Sequence, residues 1–235
     1  LDVLDLPALP DTANAPHLQG GAPVSEFLSL DVDEKVLTLA AFDPDAPGLA
    51  LGTAQGVVKR VKPDFLSNRD DWEVIRLDDG DEVVGAVDLR TGEEELCFVT
   101  SDAQLLHFSG SAVRPQGRGG GGVAGVRLAA GQRVVSFTAF TVDDSAVVVT
   151  VSGSGTALPG TEAGSVKVTP FAEYPAKGRA TGGVRCHRFL KGEDVLVLGW
   201  AGPGPAMAAA ASGAPVDLPE AEGRRDGSGV PAAQP

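Results

Sequence analysis

The sequence is poor in the residues that catalysis and metal binding use most. Of 235 residues, only one is tyrosine, three are histidine and two are cysteine. No serine, histidine and aspartate can be combined into a hydrolase triad by their spacing. Cys97 and Cys186 form neither a CxxC pair nor a Cys/His cluster, which argues against a zinc site. We interpret both as buried thiols in a reducing compartment.

Long apolar runs and a leader peptide are also missing. No run reaches the roughly 18 apolar residues that a membrane-spanning helix needs. The first five residues include no methionine and begin no basic or apolar signal region, so we interpret the start as a cut inside a longer protein. These absences predict a cytoplasmic chain without a membrane partner.

Short apolar runs recur along the chain. An acidic or polar pair followed by an apolar run stands at Val36, Val83, Val134 and Val195, which are 47, 51 and 61 residues apart. Each unit continues with two valine-rich runs, a loop containing arginine and glycine, and a fourth short run, which is typical of strands and hairpins. Residues 206–211 are mostly alanine, but their place in the repeat predicts a strand despite their helical propensity.

Four strands over roughly 50 residues is the size of a propeller blade. We expect a single all-β domain over residues 1–230, a propeller-like ring of about four to five four-stranded blades. The blade repeats cover residues 31–77, 78–128, 129–189 and 190–230, and residues 1–30 complete a blade. Residues 153–164 are interpreted as an inserted flexible loop and residues 231–235 as a flexible tail.

Residues 115–123 form the glycine-rich part of one repeat. They satisfy GxGxxG, but the residues that follow are β-branched and interrupted by glycine, so the helix of a dinucleotide site is not expected. Related segments, 177–184 and 223–230, stand at the same point of other repeats. Turns with positive φ explain the glycines. The arginines leave two interpretations open: a phosphate-binding loop with exposed N–H groups, or a mobile connection with a solvated arginine.

The net charge of -13 argues by itself against nucleic-acid binding. Acids, however, gather at the start of each repeat, as in residues 78–82, whereas residues 103–142 contain no acid. Because equivalent positions line up around a ring of blades, this order predicts a basic edge on an acidic protein. Aromatic residues make up only 5% of the chain, so no platform for single strands is expected.

Several stretches, taken in order, resemble the C-terminal β-pinwheel domain of the A subunits of bacterial type IIA topoisomerases, gyrase and topoisomerase IV. They are residues 49–62, 65–69, 79–87, 113–118 and 173–179. Gyrase wraps DNA with a seven-residue box, Gln-basic-x-Gly-Gly-basic-Gly. Residues 116–122 keep the glutamine, Arg118 and three glycines, but Gly117 and Gly121 replace the basic residues. Residues 177–183 depart further, which favours the topoisomerase IV A subunit.

The resemblance implies an accessory domain that binds and bends duplex DNA by its backbone and presents the transported segment to a catalytic core outside this chain. It implies no cofactor in this domain, with ATP and Mg2+ used elsewhere in the complex. The implied partners are double-stranded DNA, the rest of the A subunit and the ATPase B subunit of a heterotetramer, and the fragment itself is expected to be monomeric. The cleavage tyrosine lies in a separate region of the family, so Tyr174 is not that residue and this chain alone should be inactive.

The residues expected to contact DNA lie in the later strand and loop of each repeat. They are Lys59, Arg60, Lys62, Arg69, Arg114, Gln116, Arg118, Lys167, Lys177, Arg179, Arg185 and Arg224. Residues 59–62 could also form an ordinary solvated edge strand. Two other functions stay open: a β-propeller protein-interaction module with an acidic face, and an enzyme that uses the centre of the ring, although no catalytic set is visible.

Overall fold

The computed structural model describes residues 22–32, 34–41, 43–64, 71–157, 164–210 and 212–232. The chain has two compact units. One consists of Leu1–Val36, Met207–Asp217 and Ala233–Pro235, and the other of Leu37–Ala206 and Leu218–Ala232. In the first unit, the described residues form a 3-10 turn at Val24–Glu26 and a two-stranded sheet. No helix among the described residues is long and apolar enough to cross a membrane.

Fourteen strands are present in the described residues. They are β1 (Leu49–Thr53), β2 (Val57–Val61), β3 (Val83–Asp88), β4 (Glu95–Thr100), β5 (Gln104–Ser109), β6 (Val123–Ala124), β7 (Val134–Phe140), β8 (Val147–Gly153), β9 (Ser165–Pro170), β10 (Val184–Arg185), β11 (Val195–Gly202), β12 (Ala208–Ala209), β13 (Pro215–Val216) and β14 (Val230–Pro231). Two further 3-10 turns, Gly110–Ala112 and Phe171–Glu173, follow β5 and β9. The strands are short and rich in valine, as the β propensity of the runs predicts.

The larger unit contains three four-stranded antiparallel sheets with one shared plan. Blade 1 has the order β3-β1-β2-β6, blade 2 the order β7-β4-β5-β10, and blade 3 the order β11-β8-β9-β14. In each blade, a hairpin supplies the two central strands. The inner strand comes from the chain that directly follows this hairpin, and the two-residue outer strand comes from the chain after the next hairpin. Consecutive blades are therefore interlocked by the chain itself.

The inner edge of the blade array is formed by β3, β7 and β11, because β7 contacts both of the others. The pairing of each inner strand with its hairpin shifts register once, at Thr53 in blade 1, Thr100 in blade 2 and Leu196 in blade 3. Such a β-bulge increases local twist and turns the strand. The opposite edge of each blade, formed by β6, β10 and β14, is called the outer edge below.

Two apolar clusters form the core. In the first, residues of blades 1 and 2 surround Phe98, whose ring centroid lies 4.8 Å from that of Phe137 on β7. In the second, residues of blades 2 and 3 surround Phe171, whose ring lies 5.0 Å from that of Phe140. Both thiols, Cys97 and Cys186, are free and buried in this second cluster, as the sequence predicts.

The repeat pattern predicted most of the strands correctly. Val83, Val134 and Val195 each begin an inner strand, and Ala208 and Ala209 form β12. The predicted strand at Val36 is wrong, since residues 34–41 have no regular structure. Every inner strand pairs with the hairpin of the preceding repeat, and the described residues before Val36 contain no hairpin.

The all-β pinwheel architecture is confirmed, with three four-stranded blades in the described residues. Each blade takes strands from more than one sequence repeat, so a contiguous repeat is not a blade. The single domain over residues 1–230 stays a prediction. Residues 1–21 of the terminal segment, residues 158–163 of the inserted loop and residues 233–235 of the tail lie outside the described residues.

A buried polar network holds the hairpin of blade 3 to the segment that follows β10. His187 is 1% exposed, and its Nδ1 lies 2.9 Å from Thr150 Oγ1 while its Nε2 lies 3.1 Å from Ser165 Oγ. Burial, reinforced by the nearby Lys167 ammonium, lowers the pKa of His187 from 6.5 to about 4. The folded protein therefore keeps this imidazole neutral at pH values where an unfolded chain would protonate it.

We predict that His187 makes folding stability depend on pH. Its folded pKa lies below its unfolded pKa, so its contribution is complete above pH 6.5 and is lost as pH falls from 6.5 to 4. The expected loss is up to about 3 kcal/mol. Urea unfolding across this range should show a shallower decline for His187→Gln than for the unmodified chain. His107→Gln is the matched control and should keep the steep decline; equal slopes for both variants would contradict the assignment.

Candidate nucleic-acid interface

Three glycine-containing segments cover the outer edges of the blades. Outer-edge segment 1 is residues 116–124, segment 2 is residues 177–185 and segment 3 is residues 223–231. Segment 1 follows β2: Gln116 bridges Val61, and Val123 pairs with Val58. Segments 2 and 3 end in the same way, on β5 and β9. These segments therefore form the rim of the blade array.

In blades 1 and 3, the outer and inner edges differ in charge. The three outer-edge segments hold six Lys or Arg residues and one carboxylate, Asp226. Residues 78–88, which lead into and form inner strand β3, hold five carboxylates and no cation. The equivalent residues of the other blades are less acidic: residues 129–139 hold one cation and no carboxylate, and residues 190–200 hold one cation and two carboxylates. A chain of net charge -13 thus has cationic outer edges, whereas its inner edge is acidic in blades 1 and 3 only.

In outer-edge segments 1 and 2, the side chain of the first residue hydrogen-bonds to the backbone of the seventh residue and so closes the loop. The side-chain amide of Gln116 accepts the N–H of Gly122 at 3.0 Å and donates to its carbonyl at 3.4 Å. In segment 2, Lys177 Nζ donates to the carbonyl of Gly183 at 3.1 Å. Both glycines have positive φ, 84° and 74°, and a Cβ on Gly122 would lie 2.6 Å from Val57 Cγ1. The glycines are therefore required where the loop returns to the sheet.

A buried lysine holds segment 1 from the inside. Lys59 on β2 is 0% exposed, and its Nζ donates to the carbonyls of Val74, Arg118 and Gly120 at 2.7, 2.7 and 2.6 Å. An ammonium has three N–H donors, and all three are used. Burial lowers the pKa of Lys59 from its ordinary value, whereas three carbonyl partners favour the charged form.

A buried lysine occupies the same strand position in blade 3 but not in blade 2. Lys167 is 2% exposed and donates to the carbonyls of Cys186, at 3.0 Å, and Arg225. Burial lowers its pKa to about 8, while the carboxylates of Asp226 and Glu222 oppose that shift. Leu106 takes the equivalent place in blade 2. The carbonyl that a lysine would contact there, that of Gly125, instead accepts the N–H of Ala180 at 2.6 Å.

The residue after Lys59 on β2, and its equivalent on β5, contact the chain just before outer-edge segments 1 and 2 begin. Arg60 is 9% exposed, and its guanidinium donates to the carbonyls of Gly110 at 3.0 Å and Val113 at 3.4 Å. His107, at the equivalent place on β5, has Nε2 3.0 Å from the carbonyl of Tyr174. Each of these side chains therefore fixes the chain just before an outer-edge segment begins.

The predicted contact residues divide into interior and surface groups. Lys59, Arg60 and Lys167 are interior, which differs from the exposed edge that the sequence suggested, because β2 and β9 are covered by the outer-edge segments. Their contact with DNA stays a prediction. The exposed or partly exposed members are Lys62, Arg114, Gln116, Arg118, Lys177, Arg179, Arg185 and Arg224. Arg69 lies outside the described residues.

Some of the surface cations have neighbours that compete with a phosphate. Arg118 Nε lies 3.8 Å from Asp64 Oδ2, and Arg224 Nε lies 3.7 Å from Asp226 Oδ1. Arg179 donates from its guanidinium to the carbonyl of Ala124 at 2.5 Å. The Arg224–Asp226 pair is solvent-exposed and therefore weak, whereas Arg118 Nε is buried.

A row of three arginines is absent from the predicted contact residues. Arg76, Arg127 and Arg188 are exposed, and each donates its backbone N–H to the fifth residue of an outer-edge segment, at 3.4, 3.0 and 2.9 Å. They are 51 and 61 residues apart, the spacing of the valines that begin the inner strands. That shared spacing is the signal that could have found them. The row lies directly beside the glycine-rich segments.

Comparison with known proteins agrees with this architecture. A family model described as "DNA gyrase C-terminal domain, beta-propeller" matches residues 73–88, 94–140 and 160–197. The A subunit of DNA gyrase from Escherichia coli (strain K12) is 36% identical over 168 residues, which are 70% of this chain and 18% of that protein. The same subunit of Mycobacterium tuberculosis (strain CDC 1551 / Oshkosh) is 35% identical over 187 residues, 77% of this chain and 20% of that protein. This chain thus spans about a fifth of these relatives.

Solved structures show the same fold at lower sequence identity. The C-terminal domain of DNA topoisomerase IV has a TM-score of 0.70 at 20% identity, over 89% of this chain and 65% of that one. The DNA gyrase A C-terminal domain has a TM-score of 0.67 at 20% identity, over 90% of this chain and 70% of that one. Taken together, the matched sequences and the interlocked blades place this chain in the family of DNA gyrase A C-terminal β-propeller domains.

Proposed function

We propose that this chain is the accessory duplex-binding domain of a bacterial type II topoisomerase A subunit. It holds and bends the DNA segment to be transported and presents it to a catalytic core outside these residues. The observation that carries the proposal is the rim: six cations and one carboxylate on three equivalent outer-edge segments of a protein with net charge -13. A bent duplex can follow such a rim and contact several blades in turn.

The proposed contact is with the phosphate backbone and not with the bases. Large aromatic side chains of the blades, such as Phe98, Phe137 and Phe171, are buried in the core and cannot stack on bases. Arginine and lysine on the rim neutralise phosphates and release counterions, which supplies affinity without sequence preference. Because the whole chain is acidic, we expect weak binding that falls steeply as salt is added.

The rest of the machinery is proposed to lie outside this chain. The partners would be the remainder of the A subunit and the ATPase B subunit in a cytoplasmic heterotetramer, and ATP and Mg2+ would act there. Tyr174 offers no nucleophile, since it is 4% exposed and burial raises its pKa above the ordinary value. The glycines at positions 117 and 121 support a topoisomerase IV-like domain with little wrapping.

Charge reversal along the arginine row tests the proposal. We predict that Arg76→Glu, Arg127→Glu and Arg188→Glu together lower duplex affinity at low salt at least about tenfold. The slope of log affinity against log salt should fall by up to about 0.9 for each phosphate that the variant no longer neutralises. Fluorescence anisotropy of a labelled mixed-sequence duplex over a salt series measures both quantities.

The matched control is Arg90→Glu, Arg133→Glu and Lys191→Glu. These exposed residues lie on loops beside the inner strands, and their reversal changes the net charge by the same amount. Affinity losses of equal size for the two triple variants would show a general charge effect and remove the rim as the binding surface.

Restoring one basic residue of the box should strengthen binding. Gly117 is exposed and a Cβ there meets no atom within 4 Å, so Gly117→Lys should fold normally and add one phosphate contact. We expect tighter binding at low salt and a salt slope steeper by about 0.9. Gly117→Gln is the neutral control of similar size. Identical anisotropy curves for the lysine and glutamine variants would show that DNA does not pass this loop.

A further inference from the structure

The ammonium of Lys59 is a buried positive charge directly beneath outer-edge segment 1. Its three donors are taken by backbone carbonyls, and no carboxylate of the described residues forms an ion pair with it. A buried charge without a counter-charge creates a field that extends to the nearby surface. Five of the seven residues from 116 to 122 are glycine, so little side-chain bulk separates the charge from an approaching anion.

The same hydrogen bonds fix the direction of two peptide groups. The carbonyls of Arg118 and Gly120 point inward to Lys59. In a trans peptide the following N–H points the opposite way, so the N–H groups of Gly119 and Gly121 point outward. Neither N–H has a hydrogen-bond acceptor among the described residues. Backbone N–H groups that point out of one loop can form an anion-binding concavity.

We infer that Gly119 N–H, Gly121 N–H and the Arg118 guanidinium form a cradle for one DNA phosphate, positioned by the Lys59 ammonium. The inference rests on the proposed duplex-binding function and names atoms for one contact of the rim. Lys59 is a positioning residue here: it contacts no phosphate, but it turns the two peptide groups outward and adds positive potential behind them. The approach is open at Gly119, where a Cβ would meet no atom within 4 Å, and narrower at Gly121, where a Cβ would lie 3.3 Å from the Arg76 carbonyl oxygen.

The other two blades lack one or more of these parts. In blade 2, Leu106 replaces the lysine, and the N–H of Ala180 is turned inward to Gly125. In blade 3, Lys167 is present and donates to the carbonyl of Arg225. The next N–H along the chain, however, belongs to Asp226. The Asp226 carboxylate repels a phosphate at the donating residue itself, whereas the carboxylate nearest the blade 1 cradle, that of Asp64, lies 3.8 Å from Arg118 Nε and is partly offset by that cation. Among the described blades, the cradle is therefore expected in blade 1 alone.

Amide NMR of the 235-residue chain tests the cradle. Titration with a short mixed-sequence duplex should shift the amide protons of Gly119 and Gly121 downfield, as expected for new hydrogen bonds to phosphate oxygens. The amides of Gly178 and Gly182 in segment 2 are the matched internal control and should move less. Inorganic phosphate is titrated in parallel as a probe that needs no duplex geometry.

Lys59→Met tests the positioning role, with Lys167→Met as the matched control. In the first variant the duplex-induced shifts of Gly119 and Gly121 should disappear and duplex affinity should fall severalfold. In the second variant both shifts should persist. If Lys59→Met does not fold, the titrations of the unmodified chain still decide whether the Gly119 and Gly121 amides bind phosphate.

The titrations separate failure of the cradle from failure of the proposed function. Salt-dependent duplex binding with both glycine amides unmoved overturns the cradle and leaves the function intact. No duplex binding, with phosphate still shifting the two amides, supports the cradle and overturns the function. Shifts that survive in a folded Lys59→Met variant overturn the role of Lys59.

Discussion

The outer edge of each blade depends on side chains that satisfy backbone carbonyls. Only two residues of each outer-edge segment pair as a strand, so most of its peptide groups find no partner in the sheet ladder. A buried carbonyl without a donor costs about 1–3 kcal/mol, and several lie side by side here. Lys59 and Lys167 supply donors from below, while Gln116 and Lys177 close their loops from one end to the other. Without these bonds the glycine-rich segments would have no fixed path along the rim.

This arrangement changes how the charges of the sequence should be counted. Lys59, Arg60 and Lys167 are cations, yet their charged groups are occupied by carbonyls inside the blades. The surface charge therefore comes from other residues, above all the arginines beside the segments. A net charge describes a whole chain, whereas the proposed duplex would meet only the rim. An acidic protein can therefore still present a local cationic surface to a polyanion.

The sequence was sufficient to predict the strands and the fold family, because valine-rich runs, turn glycines and a repeated spacing are local signals. The interior position of Lys59 and Arg60 was not predictable in this way. Their partners, Arg118, Gly120 and Gly110, lie 50 to 61 residues away along the chain, and a Val-Lys-Arg-Val run by itself is typical of a solvated strand. The row of Arg76, Arg127 and Arg188 was predictable, since its spacing repeats that of the inner strands.

The three blades share a backbone plan but not the chemistry of their rims. Each holds its outer segment with a different set of donors: a lysine and a glutamine in blade 1, a loop lysine and the Ala180 N–H in blade 2, and a lysine near carboxylates in blade 3. Because the segment path is kept while the donors change, the path does not depend on one particular set of donors. A loop whose carbonyls are bound from inside exposes N–H groups whatever its side chains are. Such a loop can lack the basic residues of a gyrase box and still present outward N–H groups, which is what the proposed cradle requires.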